Sequence, residues 1–290
     1  MPGNRRNMLE KALELRPDVF IPDMEDSVTD REKTNARDMV ASFLPKLAKV
    51  GPIVIPRINP MDSGFMEEDL KAVMSPYTFA VSVGKVDSAG DLSKISCLVN
   101  EKEKEAKLKE GSVKLIVWIE TAMAVVNAYD ICVASPRIVA VAFGAEDFTN
   151  DLGIERTDDD TEIAYPRSVV GVAAKAAGVL ALDTPYFKFH DTVGLERNAR
   201  LAKGYGFTGK FAIHPAQINI INKVFVPSQR EIDHAYRVVQ VFEEAEKMGK
   251  GSTSLDGKVI DVPVVKRARK TLELARSSSA LEHRRSEIVD

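Results

Sequence analysis

Two acidic residues, Glu120 and Asp147, have the types and spacing that most suggest chemistry in this 290-residue chain. Each follows an apolar run. Leu115-Ile116-Val117-Trp118-Ile119 leads into Glu120, and Ile138 to Phe143 leads into Gly144-Ala145-Glu146-Asp147. The two acids are 27 residues apart, about one strand–helix unit. If the runs are neighbouring strands, roughly 4.8 Å apart, both carboxylates reach one ion. Two carboxylates without a nearby His or Cys suit a hard cation that keeps several waters, Mg²⁺ or Mn²⁺ in its place. The same acids could equally be salt-bridged rim residues, and spacing alone leaves both readings open.

Other apolar runs end in polar side chains as well. Arg57 follows Ile53-Val54-Ile55-Pro56; its planar fork suits a carboxylate, either a substrate's or that of Glu25 or Asp26 in an ion pair. Lys85, after Phe79 to Gly84, could neutralise a substrate or pair with Asp87. His214, before Pro215, reads more readily as a packed strand-end histidine than as a catalyst. Asp158-Asp159-Asp160 reads as a loop feature, and the charged run Glu101 to Glu110 as a solvated helix face. Cys97 and Cys132 lack metal-ligand spacing and read as packed, reduced thiols.

The elements that must hold these residues are legible as alternation. Seven continuous apolar runs, Asp18 to Pro22, Ile53 to Pro56, Phe79 to Val83, Leu115 to Ile119, Ile138 to Phe143, Val179 to Leu182 and Phe211 to Ile213, predict strands buried on both faces of a parallel sheet. Amphipathic segments such as Asn7 to Leu15, Asn35 to Leu47 and Ser168 to Ala177 separate them as helices. The pattern predicts an α/β fold, a (β/α)₈ TIM barrel over residues 1–226, whose active site lies at the carboxyl ends of the strands. The helix at Asn7 precedes the first visible strand, so the first barrel strand is expected to be missing or to lie upstream of Met1. A C-terminal extension over 227–276 is expected as a helix, a turn-rich break and a second helix, and 277–290 as a disordered polar tail.

Bulk composition narrows the function classes. Forty basic and 43 acidic residues give a net charge of −3, which favours neither nucleic acid nor a membrane surface as partner. The longest apolar runs are of strand length, too short to cross a bilayer as a helix.

Several ordered motifs resemble those of the citrate lyase beta-subunit-like family, within the HpcH/HpaI aldolase group. They are Pro2-Gly3-Asn4-Arg5, Asp23-Met24-Glu25-Asp26-Ser27-Val28, Arg57-Ile58-Asn59, Ile119-Glu120-Thr121-Ala122, Phe143-Gly144-Ala145-Glu146-Asp147-Phe148, Gly206-Phe207-Thr208-Gly209-Lys210 with Ile213-His214-Pro215, and Leu255 to Pro263. The resemblance spans about residues 2–276. It implies a Mg²⁺-dependent barrel that cleaves or forms C–C bonds in β-hydroxyacyl-CoA thioesters such as citramalyl-CoA, malyl-CoA or citryl-CoA, giving acetyl-CoA and a keto acid. It implies Glu120 and Asp147 as metal ligands, with Glu120 also beside the substrate, and Arg57 on the substrate carboxylate. Asp261 is implied as a catalytic aspartate donated to a neighbouring subunit of a homotrimer or hexamer, and Arg5, Lys33 and Arg37 as basic positions for the CoA phosphates. Gly84 stands where the family usually has proline, which is expected to loosen that strand end. A citrate lyase beta subunit working on an acyl-carrier thioester, a malate synthase or thioesterase, and a non-catalytic oligomeric scaffold are the alternatives. A cytoplasmic location is expected, or the mitochondrial matrix if a presequence precedes Met1.

Overall fold

The computed structural model describes the backbone of residues 1–287 and the side chains of residues 1–277. Two compact units divide the chain, Met1–Ile218 and the remainder; the sequence reading puts that boundary a few residues later, at 226/227. The first unit runs α1 (Arg6–Ala12), β1 (Val19–Phe20), α2 (Lys33–Lys49), β2 (Ile53–Val54), β3 (Arg57–Ile58), α3 (Met66–Val73), β4 (Ala80–Val83), α4 (Ala89–Glu105), β5 (Lys114–Ile119), α5 (Ala122–Val126), α6 (Ala128–Val133), β6 (Ile138–Phe143), α7 (Ala145–Leu152), α8 (Ala164–Ala177), β7 (Leu180–Asp183), α9 (Thr192–Gly204) and β8 (Gly209–Lys210). A further helix, α10 (Pro215–Phe225), crosses the boundary.

Strand and helix alternate, and six strands pair in chain order, β3-β4-β5-β6-β7-β8, all parallel. The residues explain the choice of element. β4 is buried at every position, and β5 at five of its six, so neither strand needs an inside–outside alternation. β1 and β2 form a separate parallel pair, tied to the larger sheet where Asp23 bridges Arg57. On the far side of Asp23, Pro2 makes a parallel bridge, Gly3 N–H donates to Asp23 O, and Asp23 N–H donates to Met1 O. Met1–Gly3 therefore sits at the edge position that the missing first strand was expected to fill.

One core cluster consists of Ile55, Ala80, Ile116, Trp118, Ala140 and Ala142. Val19 and Ile21, from one end of the strand order, and Leu182 and Phe211, from the other, all pack on it. A sheet whose two ends meet one cluster is curved around it. Among the described residues no ladder joins β8 back to Met1–Gly3, because both are stubs too short to pair over a full strand. The fold is thus a mixed α/β fold with a curved parallel sheet.

Three sequence expectations need correction. The last strand is Gly209–Lys210 rather than Phe211 to Ile213. Its buried side chain is a lysine paired with Asp183, so the strand begins before its apolar residues do; Phe211 only continues the pairing, through its N–H to Asp183 O at 3.0 Å. The charged run at Glu101 is not wholly solvated, since Glu103 is completely buried. Cys132 is packed as expected, whereas Cys97 is exposed.

The second unit holds α11 (Gln229–Lys247), β9 (Thr253–Leu255), β10 (Lys258–Ile260) and α12 (Val262–Glu287). Ser228 and Glu231 close a reciprocal capping box at the start of α11. Its apolar stripe, Ala235, Val238 and Phe242, packs with Ile260, Val265, Ala268 and Leu272. β9 and β10 form a two-residue hairpin in which Asp256 and Gly257 both have positive φ, 50° and 76°, as a type I′ turn requires. Helix α12 continues to Glu287, past the start of the expected tail at 277; residues 288–290 lie outside the described part. Among the described residues no helix is long and apolar enough to cross a membrane.

Candidate metal centre at the carboxyl ends of the strands

Register brings the acids together. Ile119, the last residue of β5, pairs with Phe143, the last of β6, so Glu120 and Gly144 leave the sheet side by side. Gly144 N–H donates to Ile119 O, and Asp147 follows in the first turn of α7. Glu120 is 1% exposed. Its Oε1 accepts the Lys85 N–H at 2.7 Å, while Oε2 is buried without a hydrogen-bond partner. Two glycines make room for this carboxylate. A Cβ at Gly84 would lie 2.5 Å from Glu120 Oε1, and one at Gly144 would lie 2.6 Å from Oε2. Gly84 therefore clears space beside Glu120, and Lys85 adopts a left-handed φ of 55° next to it.

The electrostatics say what the site lacks. Burial pushes the Glu120 carboxyl up to about 7; Arg57 opposes that shift, and the Asp147 charge adds to it. Asp147 is also raised, first by burial and then by the charge of Asp26. In the segment that follows β1, Glu25 is 2% exposed and pushed up to about 7, again chiefly by burial, with Arg57 as the largest opposing influence. Its two oxygens face Arg57 and Lys85 as ion-pair partners, Lys85 Nζ at 3.3 Å, but neither has an aligned hydrogen bond. These three acids share too little positive charge to be comfortably ionised together.

Arg57 holds the centre of the arrangement. It pairs with Glu25 and with Asp26 Oδ2, the latter at 2.9 Å, and its Nε is buried without a partner. The guanidinium lies 4.8 Å from the centroid of the Trp118 ring, a cation–π contact worth about 0.5–2 kcal/mol. Trp118 is fixed in turn by its Nε1–H to Ser82 Oγ at 2.8 Å and by Phe211 at 4.5 Å between ring centroids. Lys85 pairs with Glu25 and Asp26, not with Asp87, which instead accepts from the Thr121 hydroxyl.

The remaining site candidates fall in different places. Lys33 is buried and donates to the carbonyls of Met24 and Glu25 at 3.0 and 2.8 Å. Arg37 donates to Asp69 at 3.0 Å; Asp69 in turn accepts from Asn59, whose amide also reaches Met24 O. Both cations are thus engaged in holding strand ends. Arg5 is exposed. His214 is exposed and stacked at 5.2 Å from Phe189, not packed. Asp261 lies in the second unit, where its Oδ1 accepts Val264 N–H at the start of α12. Glu25 is the residue whose importance the sequence understated. The signal was present, an acid two residues after Asp23, but the run Asp-Met-Glu-Asp does not say which acid is buried.

A divalent cation fits this donor set. Among the described residues no group of three or more His, Cys, Asp or Glu side chains forms a closed cage. What exists is a pair of carboxylates, Glu120 and Asp147, one with a buried oxygen that has no donor. Mg²⁺ is commonly held in this way, by one or two carboxylates with water and substrate completing its octahedron.

Comparison with known proteins places the arrangement in context. The profile of the HpcH/HpaI aldolase/citrate lyase family matches residues 1–215. The chain is 35% identical to the citrate lyase subunit beta of Leuconostoc mesenteroides subsp. cremoris, over 97% of this chain and 93% of that one. It is 33% identical to the mitochondrial citramalyl-CoA lyase of Homo sapiens, over 96% and 84%, and 34% identical to a (3S)-malyl-CoA thioesterase of Cereibacter sphaeroides, over 97% and 94%. Among solved structures, CitE of Mycobacterium tuberculosis in complex with magnesium, acetoacetate and coenzyme A superposes with a TM-score of 0.76 at 28% identity, covering 95% of this chain and 96% of that one.

Proposed function

This chain belongs to the HpcH/HpaI aldolase/citrate lyase family, and on that premise we propose that it is a Mg²⁺-dependent carbon–carbon lyase acting on a β-hydroxyacyl-CoA thioester. The observation that carries the proposal is the buried, donorless oxygen of Glu120 in a carboxyl raised to about 7, next to a raised Asp147. A cation between them would supply the missing positive charge. The magnesium bound to the M. tuberculosis relative supports the same reading. Glu120 and Asp147 would hold the ion, with Mn²⁺ an acceptable substitute. Bound there, Mg²⁺ would supply Lewis-acid polarisation of a keto or alkoxide oxygen.

The chain's own residues divide the other work. Arg57, held by Trp118, Glu25 and Asp26, binds the keto-acid carboxylate and keeps one buried N–H, on Nε, free for it. Lys85, at the rim with a 43% exposed side chain, stabilises negative charge developing on the thioester enolate. Asp261 of a neighbouring copy in a homotrimer or hexamer takes the β-hydroxyl proton. Arg5 meets a CoA phosphate; Lys33 and Arg37, as the structure places them, serve the strand ends instead. We further propose that the curved sheet closes as an eight-stranded barrel, with Met1–Gly3 marking the first strand, and that the protein works in the cytoplasm.

The reaction breaks the bond between the carbinol carbon and the thioester α-carbon. Citramalyl-CoA gives pyruvate and acetyl-CoA, malyl-CoA gives glyoxylate and acetyl-CoA, and citryl-CoA gives oxaloacetate and acetyl-CoA. The thioesterase relative supports a second reading, hydrolysis of the thioester to free CoA and a hydroxy acid. Incubating each thioester with the purified chain, with Mg²⁺ or EDTA, separates the two. Mg²⁺-dependent acetyl-CoA and keto acid are expected. Free CoA with intact hydroxy acid would replace the lyase with the thioesterase, and no turnover together with no Mg²⁺ binding would remove the enzyme.

A further inference from the structure

The acidic run Asp158-Asp159-Asp160 reads in the sequence as loop, yet Asp160 is only 8% exposed and every oxygen it has is used. Its Oδ1 accepts Arg156 Nη2 at 2.6 Å. Its Oδ2 accepts Arg167 Nη1 at 3.1 Å and the Asn198 amide. Its φ is 58°, a left-handed conformation that Asp tolerates better than most residues. Nothing in the lyase reading uses this hub.

Two arms run from Asp160 to the same short helix. In one, Arg156 spans from Asp160 to Glu146 Oε1, 2.8 Å away, while its Nε donates to Glu162 at 2.8 Å. Glu146 immediately precedes Asp147 in the first turn of α7. In the other, fully buried Arg167 grips Asp183 with two bonds of 2.9 and 3.0 Å. Asp183 pairs with Lys210, Lys210 donates to Thr184 O at 2.6 Å, and the Thr184 hydroxyl accepts the Ala145 N–H at 3.3 Å. Ala145 and Glu146, the two residues before Asp147, are therefore both tied to one network, buried around Asp160, Arg167 and Asp183 and open to solvent at the Arg156–Glu146 pair.

That arrangement answers a local weakness. Helix α7 has eight residues, and Gly144 at its start offers no side-chain cap. Its first-turn N–H groups have no intrahelical partners to fix the turn. An ion held by only two carboxylates depends on their mutual angle, and Asp147 sits on this loosely specified turn. We propose that Asp160 and Arg156 are positioning residues for Asp147, setting the affinity of the Glu120–Asp147 pair for a divalent cation without touching the ion. The inference rests on the metal reading of that pair.

The test is Mn²⁺ binding to the full chain, followed by electron paramagnetic resonance and by calorimetry, on samples shown to be folded by circular dichroism. Arg156 has a side chain 20% exposed, and Asp160 keeps Arg167 and Asn198 without it, so Arg156→Gln is expected to fold. Arg156→Gln and Asp160→Asn should each weaken Mn²⁺ binding about 10-fold, the low end of the cost of losing a group bonded to a ligand, because both act through the residue beside Asp147 rather than on Asp147 itself. Arg156→Lys should recover part of the loss. Glu103→Gln, which breaks a different buried ion pair, should lower thermal stability and leave Mn²⁺ affinity unchanged. A wild-type chain that binds Mn²⁺ and an Arg156→Gln variant that binds it equally well would overturn this inference alone. A wild-type chain that binds no Mn²⁺ would overturn the metal reading and the inference with it.

Discussion

The two ends of the same parallel strands each bury a glutamate beside an arginine, and they treat it in opposite ways. At the start of β5 and β6, Glu103 accepts from Gly111 N–H, Val113 N–H and both Arg137 Nη atoms, at 2.6 to 3.0 Å. Burial alone would raise its carboxyl, but the Arg137 and backbone bonds outweigh burial and hold it below the usual range. At the far end of β5, Glu120 is equally closed to solvent, receives one N–H, and is pushed up to about 7. Two things differ: Glu120 lies deeper among protein atoms, and fewer donors are aimed at its oxygens. A saturated acid at the start of the strands locks the fold. An undersupplied acid at their end is where the proposed cation would sit.

The largest effect should come from supplying or deleting charge at the undersupplied end. Glu120→Gln is expected to abolish measurable Mg²⁺ binding and lower kcat/KM by roughly 10³-fold or more, by analogy with the loss of a key transition-state stabiliser. Titration calorimetry and a coupled keto-acid assay read the two effects separately. Next, Arg57→Ala and Asp261→Ala should each be inactive alone. Mixed after subunit exchange, they should recover part of the activity if Asp261 serves a neighbouring copy; no recovery with exchange confirmed would place Asp261 within its own chain or outside catalysis.

The saturated end should respond in stability instead. Removing Arg137 leaves Glu103 buried without its main partner, at a cost of about 3–5 kcal/mol. Denaturant unfolding of Arg137→Leu checks this, and turnover per folded molecule should remain near wild type.

The smallest effect is a difference in pH dependence. Glu103 has a depressed folded pKa, so its contribution is present above its unfolded value and lost as pH falls through the folded one. Glu120 and Glu25 are raised acids. The metal-free native state holds their protons between about 4.5 and 7 while the unfolded chain releases them, so this contribution to stability falls as pH rises through that window. Thermal midpoints should therefore gain more from saturating Mg²⁺ at pH 7.5 than at pH 5.5. An equal gain at both would break the contrast between the two ends.

Much of the candidate site was legible because its polar residues interrupt a simple pattern. Arg57 and Glu120 stand out as polar residues directly after apolar runs, Asp147 follows one after a short turn, and those runs mark most of the strands. The rest was hidden for one physical reason: a buried ion pair looks like two surface charges when its members are far apart in sequence. Glu103 and Arg137 are separated by 34 residues and Arg37 and Asp69 by 32, and no periodicity links them. Lys210 and Asp183 disguise β8 in the same way, and Asp160 was lost within a run of three acids.

Counting protons as Mg²⁺ binds tests the proposed cation site most directly. Calorimetric titration of the wild-type chain near pH 7, in buffers of different ionisation enthalpy, should show one ion per chain with net proton release. Both should vanish in Glu120→Gln. Binding without proton release, or binding that survives Glu120→Gln unchanged, would contradict the claim that the undersupplied acid at the end of β5 is where the cation sits.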